Sequence, residues 1–304
     1  KSIHDEVAGR ADSEIDLNRT GTPLLEIVSE PDLRSPAEAR VFLQELKLLL
    51  TYLGVSDCNM QEGSLRVDAN VNLHLEVDGE QRATPIVEIK NMNSFRAVER
   101  ALEYETTRQY RVWQETGQQL GQSPKQTRGW DDAAVTRGQR SKEESSDYRY
   151  LPDPDLVPVT TTPEQVEQIL QSLGELPAAL RARLIDEDNL SLYDAGVLVN
   201  QGRDLVDYYR TVARLCNNPK IAANWVTQDV LRELKEREIT ITQFPISAEH
   251  LADLIAALLQ DQLPSTRARE VFTLMLNGQH TVEGAIDKLG IKPIDESALV
   301  ALCQ

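Results

Sequence analysis

Apolar and polar residues alternate without a break over residues 63–75, the two-residue period of a strand with one side in a core. The spacing puts Leu65, Val67, Ala69, Val71, Leu73 and Leu75 on one face and Arg66, Asp68, Asn70, Asn72 and His74 on the other. Short Asp and Asn side chains are poor strand formers, so a polar face built from them reads as kept for a site rather than for solvation. Val77-Asp78-Gly79-Glu80 supplies a hairpin turn. Residues 84–89 are expected to return alongside, with Ile86, Glu88 and Lys90 on one face and Val87 and Ile89 on the other.

Residues 22–28 (Thr-Pro-Leu-Leu-Glu-Ile-Val) also read as a strand, one whose apolar face is interrupted by Glu26. Ser35-Pro36-Ala37-Glu38 is a capping box, opening a helix that carries Phe42, Leu46, Leu49 and Leu53 before Gly54. Asn91-Met92-Asn93-Ser94 breaks the return strand, and Ser94 caps a second helix over residues 95–115 that ends at Gly117. In the polar stretch 118–146, Trp130 and Val135 beside Asp131 and Asp132 suggest two short strands. Asp147-Tyr-Arg-Tyr-Leu-Pro-Asp-Pro-Asp155 closes this first region. From Thr162 onward the signals are helical, punctuated at Pro177, Ser191, Pro219, Ser247, Pro264 and Gly290. The fold class is therefore α+β, a mostly antiparallel sheet domain followed by an all-α domain.

Composition narrows the function classes. The chain has 304 residues, 40% of them hydrophobic, which suits a globular protein with more than one domain. Nothing in it approaches the roughly 20 apolar residues of a membrane span, and solubility is expected. Three distant cysteines, Cys58, Cys216 and Cys303, offer neither a disulfide framework nor a zinc spacing, as in a reducing cytosol. A net charge of −17 argues against broad electrostatic capture of nucleic acid, so any RNA contact must be local. From Asn217 to Gln304, eight Lys and Arg face twelve Asp and Glu, so that balance does not reverse late in the chain. There is no P-loop or dinucleotide fingerprint, His4, His74, His250 and His280 form no ligand cluster, and Tyr208, Tyr209 and Trp225 are spaced as helix core. The sequence lacks an initial Met and opens in a polar segment, so it reads as part of something longer.

The candidate chemistry lies in the first half. Glu26, Glu62, Asp68 and Glu88 sit in or beside strands and converge if those strands are neighbours. Oxygen ligands of this kind suit Mg2+, which takes one or two carboxylates together with phosphate oxygens and water. The alternative is that they are cross-strand partners of Arg66 and Lys90. Arg66 beside Asn70 offers a planar donor fork to a phosphate or carboxylate, or else a structural ion pair to Asp68 or Glu62. The residues Lys90, Asn91, Asn93 and Ser94 stand where a helix N-terminus favours anions, with a well-capped helix start as the plainer reading.

Four strings decide between these readings: Asp16-Leu-Asn-Arg-Thr-Gly-Thr-Pro-Leu-Leu-Glu-Ile-Val-Ser-Glu-Pro-Asp32, Met60-Gln-Glu-Gly-Ser-Leu-Arg-Val-Asp-Ala-Asn70, Glu88-Ile-Lys-Asn-Met-Asn-Ser-Phe95, and the 147–155 string above. In this order they closely resemble the B-subunit family of aspartyl/glutamyl-tRNA amidotransferases. The resemblance implies a catalytic domain over residues 1–160 similar to the glutamine synthetase sheet, a tRNA-facing helical domain over 161–290, and the start of a tail domain over 291–304. It implies ATP and Mg2+ as cofactors, and an acyl phosphate formed on the side chain of misacylated tRNA(Gln) or tRNA(Asn). It also implies ammonia supplied by a partner glutaminase subunit, with a small third subunit steadying the pair. Transferred residue by residue, it implies Glu26 as the leading metal ligand, with Glu62 and Glu88 as others. Glu26, Arg66, Asp68 and Lys90 become catalytic, and Asn70, Asn91, Asn93 and Ser94 become cofactor-binding. A cytoplasmic location follows, with no part for DNA or membranes. Two departures are that family members begin with a further segment bearing Gly-Leu-Glu-Val-His, and that their tails run past Gln304 with more basic helices. The competing class is a non-catalytic scaffold that holds an amidase and tRNA.

Overall fold

The computed structural model describes residues 2–4, 13–15, 17–18, 21–131, 133–139, 154–155, 157–260, 262–278 and 281–291. Of the 147–155 string only Pro154 and Asp155 fall among them, and of the expected tail start at 291–304 only Ile291 does, the rest lying outside the described residues. The first long helix, α1 (Pro36–Tyr52), starts where the capping box predicts: Ser35 Oγ accepts from the Glu38 N–H at 3.2 Å and Pro36 takes the first helical position. The reciprocal half is displaced by one residue, because the Glu38 carboxylate accepts from the Arg34 N–H at 2.6 Å. Its buried stripe is Ala39, Leu43 and Leu50.

The strands are β1 (Ser2–His4), β2 (Ser13–Ile15), β3 (Ala69–Val71), β4 (His74–Val77), β5 (Glu80–Ala83), β6 (Val87–Lys90), β7 (Gln126–Trp130) and β8 (Thr136–Gly138). They form a four-stranded sheet ordered β3-β6-β7-β8 and two separate hairpin ladders, β1-β2 and β4-β5. Among the described residues only the β6-β7 pairing is parallel. The fold is α+β as expected, with a small mixed sheet. The β7-β8 hairpin supplies the two short strands expected after residue 118.

Two strand expectations are corrected. Residues 63–75 do not form one strand: β3 and β4 belong to different ladders. The hairpin turn at Asp78 (φ 53°) and Gly79 (φ 78°) forms as predicted, both residues left-handed in the manner that matches strand twist. Between the β4-β5 and β3-β6 pairings, however, residues 72–73 face residues 84–86, two against three. The extra residue makes a bulge that bends the hairpin and splits the expected return strand into β5 and β6. Thr84 fills the break, its Oγ accepting from the Leu73 N–H at 2.8 Å while its own N–H donates to the Leu73 carbonyl. Residues 22–28 are likewise not a strand. No ladder pairs them among the described residues, and Leu24 and Val28 stay 91% and 82% exposed.

The second helix, α2 (Phe95–Thr116), is capped by Ser94 Oγ, which accepts from the Ala97 N–H, and stops at Gly117 in the left-handed conformation at φ 65°. Val98, Ala101 and Leu102 pack against Val87, Ile89 and Met92 from the sheet and Ala39 and Leu43 from α1. One turn further, α2 turns polar yet remains buried. Glu105 is 0% exposed and sits against two guanidinium groups, with Arg108 Nε at 3.0 Å and Arg128 Nε at 3.6 Å. The Thr136 hydroxyl donates to it at 2.8 Å, and Gln109 Nε2 donates at 3.3 Å. The same Gln109 donates to the Val71 carbonyl and accepts from the Thr84 hydroxyl at 2.7 Å. This network joins α2 to β7, β8 and the hairpin bulge.

From Thr162 on the chain is helical: α3 (Pro163–Ser172), α4 (Pro177–Asp186), α5 (Leu192–Asn200), α6 (Arg203–Cys216), α7 (Pro219–Asn224), α8 (Leu231–Arg237), α9 (Ala248–Leu259), α10 (Ser265–Leu276) and α11 (Val282–Leu289). A π-helical turn, Trp225–Val230, links α7 to α8, and a short 3-10 turn, Ile241–Gln243, precedes α9. Each predicted punctuation mark is a helix end: Pro177 and Pro219 open helices, Ser191, Ser247 and Pro264 stand just before them, and Gly290 ends α11 at φ 62°. Tyr209 and Trp225 are buried in one core that runs from Leu180 to Ala285, and Tyr208 packs edge-on against Phe244.

The α1 helix also reaches this second core. Leu48 and Tyr52 pack against it, and the Tyr52 hydroxyl donates to the Val199 carbonyl at 2.8 Å. Arg203 lies 5.3 Å over the Tyr52 ring, and Arg181 pairs with Glu45 at 3.0 Å. Burial pushes the Tyr52 phenol up to about 12 despite the nearby Arg203. Replacing Glu105 with Ala strands the Arg108 and Arg128 charges at a buried site, and the expected cost is about 3–5 kcal/mol of unfolding free energy. Urea unfolding of the Glu105→Ala protein measures it, and a loss under about 1 kcal/mol contradicts the network's structural weight.

Candidate active site on the outer face of the sheet

Alternation along β6 sends Val87 and Ile89 into the core and leaves Glu88 and Lys90 on the outer face. Pairing brings neighbours to the same side: Asn70 stands opposite Glu88 on β3, and Thr127 opposite Glu88 on β7. Asp68, just before β3, completes the row. Lys90 Nζ donates to Asp68 Oδ2 at 2.6 Å and lies 3.4 Å from Glu88 Oε1. A second ammonium, Lys125 Nζ, lies 3.4 Å from that same Glu88 oxygen, and the Thr127 hydroxyl donates to Glu88 Oε2 at 3.2 Å.

Electrostatics favour the charged forms of Glu88 and Lys90. Burial works against the Glu88 carboxylate, but the Lys125 and Lys90 charges and the hydrogen bonds from Lys125 and Thr127 outweigh it, so its pKa lies below the usual range. Lys90 is shifted up, chiefly by its hydrogen bond to Asp68, which overcomes desolvation. Two carboxylates, two ammonium groups, a hydroxyl and an amide thus share one open strip of sheet. A cavity of about 40 Å3 beneath Thr84 and Trp113 and a cleft of about 310 Å3 beside Tyr52 and Arg203 share no residue with it.

The expected convergence of four carboxylates is only half met. Asp68 and Glu88 meet through Lys90, whereas Glu26 lies in the exposed 21–30 segment and Glu62 on an exposed loop. That loop, residues 56–64, is fixed by its own hydrogen bonds, with Asn59 Oδ1 accepting from the Gln61 N–H and Ser64 Oγ donating to Asp57. Among the described residues no three His, Cys, Asp or Glu side chains gather as a metal cage. The donors present are hard oxygens, and two carboxylates are what Mg2+ takes from a protein when phosphate and water complete its shell, so the strip fits that ion. Arg66 is exposed and pairs with neither Asp68 nor Glu62, since Asp68 belongs to Lys90.

The helix-start residues have visible structural work. Asn91 is left-handed at φ 66° and its amide donates to the Trp130 carbonyl at 3.1 Å, pinning the strand end to β7. Ser94 is the cap of α2, and Asn93 is exposed. Lys125 and Thr127 were not among the sequence candidates. Their only signal was the alternation Lys125-Gln126-Thr127 leading into Trp130, which is legible once the parallel register with β6 is known.

The partly exposed Lys90–Asp68 pair contributes at most about 1 kcal/mol to stability, so Asp68→Asn is expected to leave the urea midpoint nearly unchanged. Because the Glu88 pKa is lowered in the folded state, its contribution is present at neutral pH and lost as pH falls through that lowered value. Glu88→Gln is therefore expected to flatten the acid limb of the stability curve, and an unaltered acid limb contradicts the assignment of these ion pairs.

A family model described as the GatB/GatE catalytic domain matches residues 1–167, and one described as a GatB domain matches residues 207–304. The chain is 55% identical over 305 aligned residues to the B subunit of the aspartyl/glutamyl-tRNA(Asn/Gln) amidotransferase of Rhodopirellula baltica, covering 100% of this chain and 61% of that protein. The corresponding protein of Chlorobium phaeobacteroides is 43% identical over 98% of the chain, and that of Moorella thermoacetica 42% over 98%. The chain spans about 61% of the length of these relatives. It belongs to the GatB family, the B subunits of aspartyl/glutamyl-tRNA(Asn/Gln) amidotransferases.

Proposed function

We propose that the whole protein activates the side-chain carboxylate of Glu-tRNA(Gln) or Asp-tRNA(Asn) with ATP and Mg2+, so that ammonia from a partner glutaminase subunit converts it to the amide. The observation that carries this reading is the strip on which Asp68, Glu88, Lys90, Lys125 and Thr127 meet. Activation consists of attack by a substrate carboxylate oxygen on the γ-phosphorus with ADP leaving; ammonia then attacks the acyl carbon and phosphate leaves. Mg2+ supplies charge neutralisation on the phosphates.

The chain's own groups divide that work by charge. Asp68 and Glu88 offer oxygens to the cation, while Lys90 is placed to meet phosphate oxygens once they are near. Asn70, one rung away on the same face, can orient the acyl group. Asn91 and Ser94 act by fixing the corner on which Lys90 sits. Glu26, Glu62, Arg66 and Asn93 keep their proposed roles on the strength of the family strings alone. The partners in this reading are the glutaminase subunit, a small third subunit and the misacylated tRNA, and the setting is the cytoplasm. No helix among the described residues is long and apolar enough to cross a membrane.

A scaffold reading has one observation in its favour: apolar side chains at Leu24, Val28, Val157 and Val159 are more than four-fifths exposed, as at a surface that other chains cover. ATP hydrolysis dependent on Glu-tRNA, measured on the full-length assembled enzyme, separates the two readings. In that enzyme Lys90→Met and Glu26→Gln are expected to lower transamidation at least about a hundredfold while glutamine hydrolysis in the partner continues. Wild-type transamidation in Lys90→Met removes the strip from the chemistry.

A further inference from the structure

Glu88, whose side chain is only 20% exposed, carries an unusual load, because one of its oxygens, Oε1, lies 3.4 Å from each of two ammonium groups. Lys90 arrives from β6 itself and Lys125 from the residue just before β7. The two ammonium groups are not equivalent: Lys90 is shared with Asp68, whereas Lys125 has Glu88 as its ion-pair partner. A divalent cation that took Glu88 Oε1 would compete with Lys125 for that oxygen, and the released ammonium would be free to meet phosphate oxygens.

We propose that Lys125 is a placeholder and then a phosphate ligand: it neutralises Glu88 in the resting protein and transfers to the nucleotide's phosphates when Glu88 turns to the metal. This rests on reading the strip as the ATP and Mg2+ wall, and it adds a residue, Lys125, that neither the family strings nor the helix-start argument includes. The transfer has an energetic signature. The lysine competes with the cation for Glu88 and attracts the phosphates, so its removal has opposite effects on the two ligands. A lysine that merely stiffened the β6-β7 pairing would move both in the same direction or neither.

Two probes on the full-length protein separate these cases: MnCl2 alone, followed by electron paramagnetic resonance, and a fluorescent trinitrophenyl-ATP in the absence of metal. Lys125→Gln is expected to bind Mn2+ roughly two- to fivefold more tightly, since an exposed competing charge is gone. It is expected to bind the nucleotide about tenfold more weakly through loss of a charged contact. Lys125→Arg keeps the charge and is expected to restore nucleotide binding, which distinguishes charge from folding. If Glu88→Gln leaves Mn2+ binding untouched, the metal wall falls and the placeholder with it. If Glu88→Gln abolishes Mn2+ binding but Lys125→Gln moves neither ligand, or moves both the same way, the placeholder alone is overturned.

Discussion

A buried carboxylate on α2 determines where the candidate site stands. Glu105 is fully inside the protein, and an ion there is tolerated only when its lone pairs are occupied by good donors. Arg108, Arg128, Thr136 and Gln109 provide them, and through these partners one helix turn fixes β7, β8 and the hairpin bulge together. The inner face of β7 is held this way by Arg128, so Thr127, its neighbour on the opposite face, is presented to Glu88 in a fixed register. The buried network and the exposed strip are thus two sides of the same strands.

The exposed strip gains its character from a contrast in setting. Its ion pairs are partly solvated, short-range and individually weak, which makes them poor stabilisers and good exchangeable partners. The Glu105 pairs beneath are desolvated, so breaking them leaves stranded charge, and they act as fixed structure. Charges meant to be exchanged for a ligand belong on the first kind of surface.

Much of the framework was legible in the residues because it depends on local rules. Ser94 and Gly117 bracket α2, Asp78-Gly79 makes the turn, and the Pro, Ser and Gly marks of the second half all fall at helix ends. The alternation of β6 correctly sorted Val87 and Ile89 from Glu88 and Lys90. What failed needed partners that periodicity does not name. A continuous alternating run over 63–75 cannot reveal that its opposite strand carries one extra residue, and residues 22–28 have the pattern of a strand without a ladder to join. Lys125 was invisible for the same reason, since its closeness to Glu88 depends on a parallel pairing between segments nearly forty residues apart.

The α1 helix ties its two cores together mechanically. With Ala39 and Leu43 in the sheet core and Leu48 and Tyr52 in the helical one, it is a shared beam rather than a tether. Torque applied to the helical half is transmitted along this helix to the sheet core that carries Lys90 and Glu88, since α1 packs into both. The two halves are then expected to melt in a single cooperative step, and a load at the far end of the arm is felt at the sheet as strain.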